Sequence, residues 1–281
     1  MVVRTFYWDG AERSVKARLR RALGTPAGPR LRVGNAGDLY NRDLVRFLYG
    51  EDPQNVSTDG SRLLLVGSIV HRVAAGDIIA GVGTKGSPLP TPPENVSVVG
   101  VRGPITLDAL RSAGYDTSEV RFALDPGLLA ARIYPDESRE QPIPGRVAFI
   151  PHYRDLDQFR STTSLHVISV DAEPADFVRE IARSEYVYSS SLHGVIFAHS
   201  IGRPCTLVAP RNPEPVIKYR DYFASIGLSW EPPRDIEEAL QAVKAQVVDG
   251  VPNDLHDFDF PDRSRLIEDA ILVGLGSRKA G

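Results

Sequence analysis

The sequence predicts an α/β protein built from two Rossmann-like halves with parallel sheets and a cleft between them. Short runs rich in Val, Ile and Leu recur along the 281 residues and alternate poorly, which is typical of strands buried on both faces. Helical patterns separate several of these runs, as in parallel α/β sheets. A polar, proline-rich stretch over residues 134–145 interrupts the alternation near the middle of the chain.

The predicted strands fall on either side of that stretch. In the first half they lie at residues 62–66, 77–81, 96–101 and 120–124. In the second half they lie at residues 146–150, 166–170, 186–189 and 206–209. A further apolar run ends at Val33. The clearest helical patterns cover residues 104–113, 175–183 and 195–201.

The proline-rich stretch is interpreted as an interdomain linker. We therefore predict an N-terminal domain at residues 1–138 and a C-terminal domain at residues 146–281. The tail at residues 254–277 is expected to form a helix that packs back on the first half.

Composition narrows the function classes. The hydrophobic fraction of 42% and the charged fraction of 25% are those of an ordinary globular protein, and a net charge of -3 gives no reason to expect nucleic acid. The single cysteine, Cys205, allows no intramolecular disulfide, and we expect it in the core. With neither a signal-peptide pattern nor a membrane span in the sequence, we expect a cytoplasmic protein.

A basic cluster near the start leaves membrane contact open. It is either a solvated helix face or a patch that touches anionic lipid at the inner face of the membrane. Its members are Arg13, Lys16, Arg18, Arg20 and Arg21.

Glycine-rich and polar segments follow most of the predicted strands. In open α/β sheets, ligands bind beyond the carboxyl ends of the strands, so these segments predict a binding cleft. They are residues 34–38, 67–71, 81–86, 102–104, 125–127, 151–153 and 189–194.

The segment Ser189–Gly194 is the sharpest of these signals. Its serines can cap a helix that begins near His193, and free N–H groups with the helix dipole favour an anion there. His193 is then either a group beside a bound anion or a packed histidine. Arg102 opens another predicted helix and suits a carboxylate or phosphate, although an arginine at such a position is more often a surface residue.

Two further side chains are candidates for proton transfer. Asp38 is either a base or sugar-hydroxyl acceptor, or an N-cap of a helix. His152 follows a strand and a proline, a placement typical of active sites. No HExxH, CxxC or paired-aspartate motif occurs, so we predict no metal.

Six of these segments, in order, resemble the polysaccharide pyruvyltransferases, especially the exopolysaccharide branch. They are Gly34-Asn35-Ala36-Gly37-Asp38, Val101-Arg102-Gly103-Pro104 with Thr106, Asp125-Pro126, Ile150-Pro151-His152-Tyr153, Ser190-Ser191-Leu192-His193-Gly194 and Lys218-Tyr219-Arg220-Asp221-Tyr222-Phe223. Together they span residues 34–223, which is most of the chain.

The resemblance implies a GT-B-like fold with the active site in the interdomain cleft, the acceptor on the N-terminal side and the donor on the C-terminal side. It also implies phosphoenolpyruvate as donor substrate, no cofactor, and as acceptor a sugar of an exopolysaccharide or lipid-linked saccharide. At the donor it places Arg102, His193 and Lys218 with Ser190, Ser191, Leu192 and Gly194. At the acceptor it places Asp38 with Asn35, Gly37 and His71.

On this hypothesis His193 is the general acid and Asp38 takes a hydroxyl proton, with His152 as a second candidate. Two alternatives share the fold. One is a glycosyltransferase with a nucleotide-sugar donor, and the other is a saccharide-binding protein without catalysis.

Overall fold

The computed structural model describes residues 1–10, 31–57, 60–159 and 165–274. Within these residues the chain forms two mostly parallel sheets covered by helices, so the predicted α/β class with parallel sheets is confirmed. The basic cluster of Arg13, Lys16, Arg18, Arg20 and Arg21 lies outside the described residues.

The first sheet has seven strands in the described part of the chain, in the order β11-β1-β3-β4-β5-β6, with β2 also paired to β1. All pairs are parallel except β1 with β11. The strands are β1 (Val2–Thr5), β2 (Asp52–Asn55), β3 (Leu63–Leu64), β4 (Ile78–Ala80), β5 (Ser97–Val101), β6 (Phe122–Ala123) and β11 (Leu272–Val273).

The second sheet is fully parallel over its described strands, in the order β10-β9-β7-β8. Its central strands β7 and β9 pair from Val147 with Tyr186 to Ile150 with Ser189. The strands are β7 (Val147–Ile150), β8 (His166–Val167), β9 (Tyr186–Ser189) and β10 (Cys205–Leu207).

Helices connect and cover these strands. The longer ones are α1 (Ala36–Tyr49), α2 (Pro104–Ser112), α5 (Pro174–Ala182), α6 (Leu192–Ser200) and α7 (Ile217–Ser225). The shorter ones are α3 (Ala130–Ile133), α4 (Pro135–Ser138), α8 (Ile236–Gln241) and α9 (Arg263–Glu268). In the described residues no helix has both the length and the apolar character needed to cross a membrane.

Each of the eight predicted strands in residues 62–209 overlaps an observed strand, and each of the three clearest helical patterns overlaps a helix. The run ending at Val33 is different, because residues 32–33 form a bend just before α1. Strand β2 was not predicted, and neither were β1 and β11. The pairing of β1 with β11 brings the end of the described chain back to the first sheet as a strand after α9.

The two halves share a continuous apolar core. Tyr40 on α1 and Phe197 on α6 contact each other with ring centroids 5.1 Å apart. The same buried cluster contains Leu63 of the first sheet and Val187 of the second. Cys205 is buried in it, as expected.

Two polar connections also cross between the halves. The Asp171 carboxylate, just after β8, accepts hydrogen bonds from the backbone N–H groups of Arg32, Val33 and Gly34 at 2.8–3.0 Å. The backbone N–H of Ala36 donates to the Val170 carbonyl at 2.8 Å. The start of α1 is therefore held against the second sheet, which positions the residues that follow it.

Candidate active site

A cleft of about 270 Å³ opens where the carboxyl ends of strands from both sheets meet. Its walls come from the segments after β1, β3, β4, β7, β9 and β10 and from the start of α1. This is the place where parallel α/β sheets bind ligands. Five of the predicted site residues with ionisable side chains line it together, namely Asp38, His71, His152, His193 and Lys218.

His193 lies in the first turn of α6, against the first turn of α1. A Cβ added at Gly37 would lie 2.0 Å from His193 Nδ1, so only glycine leaves room for the imidazole ring. His193 Nε2 is buried and has no hydrogen-bond partner among the described residues. Burial, and next the charges of Lys218 and Arg102, lower the pKa of His193 to about 3. These surroundings therefore favour the neutral imidazole.

Asp38 faces the same cleft from the first turn of α1. Its N-capping alternative is wrong, because Asn35 is the N-cap and its side chain accepts from the Gly37 N–H at 3.1 Å. Burial raises the pKa of Asp38 to about 7, although Lys218 opposes the shift. A carboxyl that gains and loses its proton near neutral pH can act as acid or base.

The Glu214 carboxylate lies between His152 and Lys218, and the sequence analysis did not identify it. Lys218 Nζ donates to Glu214 Oε1 at 2.8 Å, and His152 Nε2 lies 3.5 Å from Glu214 Oε2. Asn212 Nδ2 donates to His152 Nδ1 at 2.9 Å, which leaves the ring proton on Nε2, facing Glu214. Burial is the main cause that lowers the pKa of His152 to about 3.

Arg102 does not lie in the cleft wall of the described chain, contrary to its predicted place at the donor. Its side chain is buried, and Nε donates to Asp221 Oδ2 on α7 at 3.0 Å. A second nitrogen donates to Ser68 Oγ at 2.7 Å, and Ser68 itself lines the cleft. Gly83 makes room for this guanidinium, since a Cβ there would lie 2.1 Å from Arg102 Cζ. Ser68 therefore lies between the Arg102 guanidinium and the cleft.

Of the remaining residues predicted at the donor, two line the cleft and two lie behind it. Ser191 and Leu192 line the cleft. Ser190 is a support instead, because its Oγ accepts from the His152 N–H at 2.8 Å and its carbonyl accepts from the Tyr219 hydroxyl. Gly194 is buried against Ser189, whose Oγ would lie 2.4 Å from an added Cβ.

On the acceptor side, Asn35 and His71 line the cleft, and Gly37 lies beneath the His193 ring. His71 Nδ1 is buried without a hydrogen-bond partner in the described part of the chain. Burial, followed by Lys85 and Arg72, lowers the pKa of His71. Asn35 uses its Oδ1 to cap α1, which leaves its amide nitrogen available to a ligand.

Several cleft residues escaped the sequence reasoning. Besides Glu214 they include the cations Arg72 and Arg154 and the aromatic side chain Trp8, whereas Lys85 lies in the predicted segment 81–86. Spacing offers one usable signal, since Glu214 and Lys218 are four residues apart. Among the described residues, no three His, Cys, Asp or Glu side chains are grouped so that they could hold a metal ion.

Comparisons with known proteins find sequence similarity over part of this chain. A sequence model of the polysaccharide pyruvyl transferase family matches residues 94–212. This segment, which is less than half of the chain, is similar to that family. The matched range contains His152 and His193, whereas Asp38, Glu214 and Lys218 lie outside it.

A second comparison finds an uncharacterized protein of Acanthamoeba polyphaga mimivirus. It is 29% identical over 209 residues, which cover 69% of this chain and 71% of the relative. No solved structure matches the chain significantly. The cleft is therefore interpreted from its own residues.

Proposed function

We propose that the protein transfers a pyruvyl group from phosphoenolpyruvate to two hydroxyls of one sugar, which forms a ketal and releases phosphate. The family match supports pyruvyl transfer to a saccharide in general terms. The choice of phosphoenolpyruvate as donor rests on a group of cationic side chains that line the cleft. In the described chain these are Arg72, Lys85, Arg154 and Lys218. A donor with a phosphate and a carboxylate needs such a surrounding.

The start of α6 adds to this anion site. Ser191 is the N-cap of α6, and Ser191 and Leu192 line the cleft with His193. The first N–H groups of a helix have no partner within the helix, and the helix dipole is positive at that end. A phosphate or carboxylate bound there would contact His193 directly.

The transfer needs two proton movements. The methylene carbon of the donor gains a proton while a sugar oxygen bonds to the adjacent carbon. Phosphate then leaves with the electrons of its C–O bond, and the second sugar hydroxyl closes the ketal on the same carbon. The sugar loses two hydroxyl protons, one balancing the new methyl group and one balancing the departing phosphate.

His193 and Asp38 are our candidates for these protons. A donor anion beside His193 offsets the lowering of its pKa, because a nearby negative charge favours the imidazolium form. His193 is then charged only when the donor is bound, which limits proton transfer to the loaded site. Asp38, with a pKa near 7, accepts the hydroxyl proton, and His152 is the second candidate base.

The acceptor is proposed to be a sugar of an exopolysaccharide or of a lipid-linked saccharide, and the protein to act in the cytoplasm. We propose that no cofactor takes part, since phosphoenolpyruvate is consumed as a substrate. Activity should accordingly survive a chelator. Complete loss with EDTA that a divalent cation restores would contradict this point.

The proposal is tested by incubating the protein with phosphoenolpyruvate and a set of methyl glycosides with free diols. Phosphate release and a sugar mass gain of one pyruvyl ketal are expected together. Phosphoenolpyruvate should also raise the melting temperature more than UDP-sugars do, because a ligand that binds only the folded state stabilises it. A shift with UDP-sugars and none with phosphoenolpyruvate would favour a glycosyltransferase instead.

A further inference from the structure

Two aromatic side chains meet in the cleft, one from each half of the molecule. Trp8 follows β1 and Tyr153 follows β7, and their ring centroids are 5.1 Å apart at an interplanar angle of 49°. Trp8 exposes 38% of its surface. Neither side chain has a part in the proton transfers described above. Large aromatic rings beside polar groups in a cleft are typical of ligand sites.

Both rings are held in place before a ligand arrives. The Asn55 side chain binds the backbone of Tyr7 on both sides, accepting from its N–H at 3.3 Å and donating to its carbonyl at 3.0 Å. This fixes the chain just before Trp8. The Tyr153 hydroxyl accepts from Arg154 Nε at 2.9 Å, and its ring lies 4.6 Å from that of His152. Preformed rings bind a ligand at a smaller entropic cost.

Tyr153 also lies beside the proposed base. Burial, and to a smaller extent the nearby carboxyl groups of Glu214 and Asp38, raises the pKa of Tyr153 against the effect of Arg154. Trp8, Tyr153 and Asp38 line the same cleft as Lys218 and His193. A sugar ring has apolar C–H faces and polar hydroxyl edges, so it suits an aromatic surface next to carboxyl groups.

We propose that Trp8 and Tyr153 form a platform for the acceptor, with one face of the sugar ring on the two aromatic rings and its hydroxyl pair toward Asp38. The role of this platform in pyruvyl transfer depends on the proposed function. It assigns the acceptor to the cleft mouth and leaves the anion site to the donor.

The first test uses tryptophan fluorescence without any donor. The chain has two tryptophans, so Trp230→Phe leaves Trp8 as the reporter. Trp230 contacts Phe223 with centroids 5.9 Å apart and takes no part in the proposed site. The variant is titrated with methyl glycosides of galactose, glucose and mannose and with lactose. We expect a saturable change with at least one sugar and none with Trp8→Phe, which reports from Trp230 alone. No saturable change with any of these sugars overturns the platform.

The second test separates the acceptor from the donor by calorimetry. Trp8→Ala should weaken binding of the responding sugar roughly tenfold, the effect of losing one buried ring face, and leave phosphoenolpyruvate affinity unchanged. Trp8→Phe and Tyr153→Phe keep a ring and should keep most of the affinity. Unchanged sugar affinity in Trp8→Ala overturns the platform, as does an equal loss for phosphoenolpyruvate.

The two proposals fail in different ways. Sugar binding is measured without phosphoenolpyruvate, so it stands even if no pyruvyl group is transferred. Transfer by the wild-type protein with an unchanged acceptor KM in Trp8→Ala would remove the platform and leave the proposed function intact.

Discussion

His193 is the residue on which the proposed chemistry depends most, and its surroundings fit proton transfer better than packing. Its Nε2 is buried without a partner among the described residues, while Nδ1 faces Gly37. A histidine kept only for packing normally has its polar atoms hydrogen-bonded. His199 provides the contrast, because its Nδ1 lies 2.9 Å from the Tyr222 hydroxyl.

His193→Ala should lower kcat by roughly 10²–10⁴-fold, the usual contribution of a positioned acid. Donor affinity should fall less, since Lys218 and the other cleft cations remain. The matched control is His199→Ala, which loses a buried hydrogen bond and should lower the melting temperature while the folded fraction keeps its activity. Near-normal turnover in well-folded His193→Ala would move the acid role to His152.

Asp38 gives a prediction about stability and pH. Its pKa of about 7 lies above the ordinary value of an aspartate, 3.8, so the folded state holds the proton more tightly than the unfolded state. The contribution of this proton to the free energy of unfolding is fully present below about pH 4 and is lost as the pH rises through 7. Asp38→Asn does not titrate and removes this loss. The melting temperature of the variant, measured by calorimetry, should therefore exceed that of wild type by more at pH 8 than at pH 5. An equal difference at both values would contradict the raised pKa.

At the scale of elements, the first turns of α1 and α6 meet at the site, and Gly37 decides how closely. In a helix, Gly→Ala ordinarily stabilises by about 0.5–1 kcal/mol. At Gly37 the added Cβ would lie 2.0 Å from His193 Nδ1, so the ring or the helix must move. We expect Gly37→Ala to lower both the melting temperature and kcat. Gly274→Ala is the control, because a Cβ there meets nothing within 4 Å. A more stable, fully active Gly37→Ala would show that the two helices do not fix His193.

The same elements show how much the sequence could predict. Strands such as β7 and β9 were found because they are apolar runs buried on both faces. Strand β1 has the sequence VVRT and alternates between half-buried and buried positions, so it lacks the buried apolar run of β7 and β9. The loop after β9 was found because serines, a histidine and a glycine follow a strand. Glu214 was missed because its partner His152 is far away in the sequence and only the fold brings the two side chains together.

At the scale of the whole molecule, Arg102 and Asp221 connect the two halves. Both side chains are buried, and Asp221 also accepts from the backbone N–H and the hydroxyl of Thr106 at 2.9 and 2.6 Å. Sequence alone favoured a ligand or surface role for Arg102, because arginine is seldom fully buried unless it is paired. The partner lies 119 residues further along the chain, so the pairing depends on tertiary structure.

A double substitution distinguishes the two roles of Arg102. Arg102→Met leaves the Asp221 carboxylate buried without its countercharge, and we expect a loss of about 3–5 kcal/mol in the free energy of unfolding. Adding Asp221→Asn removes that charge and keeps an acceptor and a donor for Thr106, so the double variant should recover most of the loss. Its affinity for phosphoenolpyruvate, measured by calorimetry, should stay close to that of wild type, because Arg102 lies behind Ser68. A double variant that is stable yet no longer binds phosphoenolpyruvate would return Arg102 to the donor site, where the sequence had placed it.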